Sequence, residues 1–185
     1  MLISFSGAQS TGKTTLLNHL QNLNEHIKFV PEVTRLVKRE YNLPINEEGN
    51  DVTQLMIIGE HLRNAYKISD ESNILDRCSL DGLVYTYWLC SNRKVSMSVY
   101  SFAESIFNKT INKYDVIFYT SPEDVNLIDD GERSANSDFR DDIIKLFESY
   151  ILEFNINIVR LSGTVEERLQ TIKKTLNEKG LEINI

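Results

Sequence analysis

Cysteine, histidine and proline are all scarce in this chain of 185 residues, which holds two, three and three of them. Cys78, Cys90 and the scattered histidines show no metal-ligand spacing. Reduced, partly buried thiols are the default for such a pair, which fits a cytoplasmic protein. The sequence has no Pro/Ser-rich linker, internal repeat or low-complexity tract, so residues 1–185 read as a single domain, long enough for a substantial core. No stretch is long or apolar enough to span a bilayer. The apolar start, Met1 to Phe5, lacks a basic n-region and is not a signal peptide. Basic residues are also outnumbered: 20 Lys and Arg against 27 Asp and Glu leave a net charge of −7. That balance argues against a broad nucleic-acid or anionic-membrane surface.

What is present centres on Gly7-Ala8-Gln9-Ser10-Thr11-Gly12-Lys13-Thr14, a Gly, any four residues, Gly, Lys, then Thr. Such a loop turns its backbone N–H groups inward as a nest for phosphate oxygens. Gly7 and Gly12 permit backbone angles that a Cβ forbids. Lys13 places a positive charge on the β- and γ-phosphates of ATP. Thr14 offers its hydroxyl to Mg²⁺ while opening a helix whose N-terminal dipole favours the anion. Gln9, Ser10, Thr11 and Thr15 complete the ATP-binding stretch. Average composition yields this match by chance in roughly one chain in a hundred. The context tightens it, since Leu2-Ile3-Ser4-Phe5-Ser6 reads as a strand and Leu16, Leu17 and Leu20 recur at helical spacing.

Further on, strands are expected at 26–30, 73–76, 115–119 and 157–161. Helices are expected near 13–24, 33–40, 51–68, 79–89 and 96–112, with one on the face Phe139, Ile143, Leu146, Phe147, Tyr150 and Phe154 and a last one from Thr164. In the 51–68 helix, Asp51 reads as the N-cap and Gln54 as its capping-box partner. Val52, Leu55, Met56, Ile58, Leu62 and Tyr66 read as that helix's buried face. Thr164 and Glu167 form a second capping-box pattern. Residues after Gly180 read as a loose tail. Strands alternating with helices predict an α/β fold with a parallel sheet covered on both faces. Ligands in such sheets bind beyond the strands' carboxyl ends, where Gly7, Glu32, Asp76 and Thr120 fall.

Asp76, ending a buried strand beside the phosphate loop, stands where a Mg²⁺-side carboxylate belongs. Arg77 can clamp an anion or orient the acceptor. Glu32 can take a proton from an acceptor hydroxyl. Arg35 shares a helical face with Glu32, although a solvated helix start is the plainer account of it. The long polar stretch around 120–140 reads as a lid carrying Arg133, with Arg140 opening the next helix; such arginines can neutralise the charge of phosphoryl transfer as the lid closes, although a disordered acidic loop whose arginines pair with its own Asp and Glu residues fits the composition as well. The turn at Gly163 and Thr164 can lie beside the adenine base.

These pieces together resemble the P-loop kinases of nucleosides and nucleotides. More narrowly, they resemble the AAA-like family that includes the ribosylnicotinamide kinase domain of the bacterial NAD-biosynthesis regulator. The resemblance rests on the phosphate loop, Pro31-Glu32-Val33-Thr34-Arg35, Leu75-Asp76-Arg77-Cys78-Ser79-Leu80-Asp81, Asp130-Gly131-Glu132-Arg133-Ser134, and Leu161-Ser162-Gly163-Thr164 with Glu166-Glu167-Arg168. It implies a three-layer P-loop NTPase fold with a five-stranded parallel sheet ordered 2-3-1-4-5 and an arginine-bearing lid. It implies ATP- and Mg²⁺-dependent transfer of the γ-phosphate to a nucleoside or nucleoside monophosphate, with Lys13, Asp76, Arg133 and Arg140 catalytic and Thr14 and Asp76 on the metal side; Glu32 joins the catalytic set as the base that its own position suggests. The acceptor pocket is expected between the 51–68 and 79–89 helices, where Gln54, Tyr85 and Trp88 can read a base, core packing being the plainer role for the two aromatics. Glu32, Arg35, Arg77 and Gln54 form the expected substrate set. A nucleotide switch acting through a protein partner, and a kinase acting on a base or end of a nucleic acid, are the competing readings. Acceptor identity and oligomeric state stay open, a homo-oligomer included.

Overall fold

The computed structural model describes residues 1–67, 72–121 and 137–185. Five parallel strands, β1 (Leu2–Ser6), β2 (Lys28–Val30), β3 (Asn73–Asp76), β4 (Val116–Thr120) and β5 (Val159–Leu161), lie in the order β2-β3-β1-β4-β5. Between them run α1 (Lys13–Leu23), α2 (Val33–Tyr41), α3 (Asp51–Tyr66), α4 (Ser79–Ser91), α5 (Met97–Thr110) and α6 (Ser137–Glu153), and α7 (Val165–Glu178) follows β5. The parallel sheet is the one expected from the alternation of elements, and its order is that of the P-loop NTPase fold implied by the family resemblance.

The period of two along each strand divides the core. Ile3, Phe5, Ile74, Val116 and Phe118 pack with Leu16, Leu20, Leu169 and Ile172 of α1 and α7. Leu75, Ile117 and Tyr119 point to the other face, against α3 to α6. Ser4 and Ser6, on β1 between the large residues, are also fully buried. The register pairs Phe5 with Asp76, Ser6 with Tyr119 and Thr120 with Leu161, which brings the carboxyl ends of the central strands to one edge.

Three local expectations are corrected. The N-cap of α3 is Asn50, whose side chain accepts from Thr53 N at 3.1 Å. Asp51 instead accepts from Ser96 N at 2.7 Å, fixing the start of α5. Second, the buried face of α3 is Thr53, Gln54, Ile57, Ile58, His61 and Ala65, while Val52, Leu55 and Tyr66 are exposed. The helix turns a partly polar face inward because that face borders a cleft. Third, the chain after Gly180 is docked: Ile183 is buried, and Asn184 and Asn24 exchange hydrogen bonds of 2.8 and 3.0 Å. The Thr164–Glu167 capping box forms as its spacing predicts. The expected lid segment with Arg133 lies outside the described residues.

Candidate active site

The loop from Gly7 to Gly12 leaves β1 with φ of 129° at Gly7, 54° at Ser10 and 85° at Gly12. A Cβ on Gly7 would stand 2.9 Å from Thr120 Oγ1 and 3.1 Å from Thr120 O, so the loop packs directly on the end of β4. Thr11 Oγ1 and Thr120 Oγ1 share a hydrogen bond of 2.6 Å. Lys13 folds back, its Nζ donating to Gly7 O at 2.9 Å and Ala8 O at 2.5 Å. Burial, with Arg77 adding to it, lowers the Lys13 ammonium to about 7 against the pull of Asp76, Asp81 and Glu32. An anion in the nest would restore its charge.

Behind the loop stands a buried ionic cluster. Arg77 adopts φ 79° just after β3, and its Nε donates to Glu32 Oε1 at 2.6 Å. Its Nη1 donates to Asp81 Oδ1 at 3.0 Å and Gly7 O at 3.2 Å, and the guanidinium lies over the Tyr85 ring. Asp81 also accepts from Ser6 Oγ at 2.8 Å, Gly7 N and Cys78 N, so one carboxylate ties strand, loop and helix start together. Burial works to raise the Glu32 carboxyl, but Arg77, with Lys13 and Arg35 behind it, holds it down at about 2. Arg35 Nε reaches Glu32 Oε2 at 3.1 Å from the rim.

Asp76 sits differently. It is half-buried, and its Oδ1 is enclosed without a hydrogen-bond partner. Burial and then the Glu32 charge raise its carboxyl to about 6, against Arg77 and Lys13. A buried carboxylate oxygen with no donor calls for a cation. Thr14 and Asp76 line the same cleft, of about 270 Å³, with Glu32 and Arg35 at its side. Among the described residues no three His, Cys, Asp or Glu cluster as a complete metal cage. Magnesium bound with phosphates needs only one or two protein oxygens, so the pair fits it.

A second, tighter cleft opens on the other side of Glu32, between α3 and α4. Gln54, His61, Arg77, Gly82 and Tyr85 line it. Tyr85 donates from its hydroxyl to Gln9 Oε1 at 2.8 Å, while its ring packs edge-on to Phe139 and Phe147. The tyrosine thus serves core and cleft together. Trp88 lies outside this cleft, against Phe139, with Nε1 donating to Asp142.

Residues 2–168 match the AAA domain family. The chain belongs to that family. Among solved structures, this AAA-domain chain is similar to the NadR protein in complex with NR, at TM-score 0.74 and 21% identity, covering 100% of this chain and 53% of that one. It therefore spans about half the length of NadR. It is similar to deoxyadenosine kinase from M. mycoides, with TM-score 0.70, 14% identity and 97% and 100% of the two chains covered. Thymidylate kinase from Candida albicans gives TM-score 0.62 and 16% identity, over 99% and 96% of the two chains. These identities establish a shared fold. No curated protein sequence matches significantly.

Of the sequence-expected residues, the fold brings Gly7, Gln9, Ser10, Thr11, Gly12, Lys13, Thr14, Glu32, Asp76 and Arg77 to one edge of the AAA domain, and Gln54 faces them from α3. Arg140 reaches the loop, its Nη2 donating to Ser10 O at 3.4 Å. Thr15 is exposed on α1, and Gly163 and Thr164 sit at the β5–α7 turn. Sequence reasoning passed over Asp81, His61 and Arg168. Asp81 was visible as a carboxylate one helical turn past Arg77, and His61 as the residue two turns past Gln54. Arg168 is buried, and its guanidinium donates to Thr11 O at 2.8 Å, Gly163 O at 3.0 Å and Ser121 O at 3.3 Å. It couples the phosphate loop to the β5–α7 turn; it stands in a stretch that carries the family resemblance, but no local pattern gives it that role.

Proposed function

We propose that the chain is an ATP- and Mg²⁺-dependent phosphotransferase acting on a nucleoside. The observation that carries this reading is the pair of clefts meeting at Glu32: one holds Thr14 and Asp76 beside the phosphate loop, and the other holds the polar side chains of α3 and α4. Two compartments sharing one wall suit a donor and an acceptor better than a switch that binds one nucleotide. The likeness to deoxyadenosine kinase and thymidylate kinase supports the same class.

In this reading the loop N–H groups and Lys13 cradle the ATP phosphates, Lys13 releasing the Gly7 and Ala8 carbonyls to do so. Thr14 and Asp76 would hold Mg²⁺, which supplies charge neutralisation on the phosphates when bound. Glu32 accepts the hydrogen bond of the acceptor hydroxyl and aims it. Its low proton affinity suits an orienting role, and the loose transition state of phosphoryl transfer demands little early proton removal. Arg140 adds positive charge at the loop, with Arg133 as a second arginine. Gly163 and Thr164 flank the adenine. The acceptor cleft's guanidinium, Arg77, already lies between the carboxylates Glu32 and Asp81. Among the described residues lining that cleft, an incoming monophosphate would find no uncommitted cation, whereas a neutral nucleoside needs none.

A panel of nucleosides and monophosphates incubated with ATP–Mg²⁺, read by ADP release and product mass, tests this. Nucleoside-dependent ADP release is expected to fall at least about a hundredfold in Lys13→Ala. ADP release that is equal with and without every acceptor would sink the proposal. Phosphorylation of monophosphates alone would overturn the nucleoside assignment.

A further inference from the structure

His61 is only 2% exposed, and its Nδ1 is buried without a hydrogen-bond partner. Orphaned buried polar atoms are rare and costly, and the ring could have been an aliphatic side chain had packing been its purpose. The neighbouring helix is cut away to receive it. A Cβ on Gly82 of α4 would stand 3.1 Å from His61 Cδ2, so the glycine is the notch in which the imidazole rests. Burial, with Arg77 adding and Asp81 opposing, lowers the imidazole to about 4, and it is therefore neutral at physiological pH. A neutral imidazole offers one donor and one acceptor and brings no charge.

Two turns earlier on the same face of α3, Gln54 is held in place by Thr86, whose Oγ1 donates to Gln54 Oε1 at 2.9 Å. Both side chains line the tighter cleft between α3 and α4 with the Tyr85 ring. An amide, an uncharged imidazole and an aromatic ring form a surface for a flat, neutral heterocycle with hydrogen-bonding edges.

We propose that His61 selects the acceptor by hydrogen bonding to a polar edge atom of its heterocyclic base, with Gln54 contacting the same base. This rests on the reading of that cleft as the acceptor site. The ligand class is a nucleoside whose base carries donor and acceptor groups; an analogue with an apolar edge leaves the imidazole unpartnered and is discriminated against.

The test is calorimetric binding of a nucleoside panel to the full chain, without ATP, together with thermal melts of the wild type, His61→Leu and His61→Asn. Leucine is expected to weaken the best-bound nucleoside about tenfold, the equivalent of one lost hydrogen bond. Asparagine, whose amide reaches the place of Nδ1, is expected to recover most of that affinity. Ligand-free His61→Leu is expected to melt at or above the wild type, because the orphaned atom is gone. Gly82→Ala, which crowds the ring, is expected to weaken the same nucleosides. A His61→Leu protein that melts lower or does not fold overturns the proposal, since the ring is then structural. A folded His61→Leu with unchanged affinities overturns it and leaves the kinase reading standing. A wild type that binds no nucleoside overturns both. A wild type that binds nucleosides, loses them in His61→Leu and transfers no phosphate sustains His61 and overturns the kinase reading.

Discussion

Replacing Asp76 by Asn should make the ligand-free protein more stable, and the gain should depend on pH. The carboxyl rises from 3.8 when unfolded to about 6 when folded, driven first by burial and then by Glu32. A raised carboxyl is favourable to folding while protonated, below its unfolded value, and that advantage is lost as pH climbs through the folded value. Above about pH 7 the folded protein carries a charge it would rather not hold, at a cost of about 3 kcal/mol for a shift of this size. Asp76 is half-buried, so water screening brings the figure to about 1–3 kcal/mol. Asparagine keeps the shape and removes the charge. At pH 8 its melting temperature should exceed the wild type's by about 3–9 °C for a domain of this length. At pH 5, where the wild-type group is largely protonated in the fold, the gain should be roughly half as large. Calorimetric melts at the two pH values, without nucleotide, measure this directly. Adding ATP–Mg²⁺ should then stabilise the wild type more than ATP alone does, and this metal increment should vanish in the variant. An Asp76→Asn protein that melts at or below the wild type at pH 8, or that gains equally at both pH values, refutes the reasoning.

Gly7→Ala combines a forbidden φ with a Cβ 2.9 Å from Thr120, so it should abolish nucleotide binding in a titration and cost about 2 kcal/mol in urea unfolding. Arg168→Ala leaves the carbonyls of Thr11, Gly163 and Ser121 without their donor and should cost about 3 kcal/mol, with weaker ATP binding in the same titration. Truncation after Gly180 removes the buried Ile183 and the Asn184–Asn24 exchange; urea unfolding should register a loss of about 2–4 kcal/mol.

The sheet and the phosphate loop were legible because local pattern dictates them. Short apolar strands alternate with periodic helices, and Gly7, Gly12, Lys13 and Thr14 stand at spacings that phosphate geometry requires. The inner face of α3 was not legible, because periodicity assumes that apolar residues point inward. Here Gln54 and His61 take inner positions and Val52 and Leu55 face out, since a cleft needs polar walls more than the core needs two aliphatic side chains. Asp81 and Arg168 were missed for a related reason. Each acts through partners far along the chain, Asp81 on Ser6 and Gly7, Arg168 on Thr11, and no local window contains both ends of those bonds. The C-terminal segment misled by its brevity: Leu181, Ile183 and Ile185 alternate over too few residues to announce that they pack under α1 and α7.

The partition formed by Glu32 has a thermodynamic consequence. Because its carboxylate borders both clefts and is gripped by Arg77 on one side and Arg35 on the other, a charge arriving in either compartment alters the field in its neighbour. Under the proposed assignment, metal–nucleotide and nucleoside therefore cannot bind independently. Whatever factor one ligand applies to the affinity of the other must be returned in full, so the same coupling energy adds to the binding of whichever ligand arrives second.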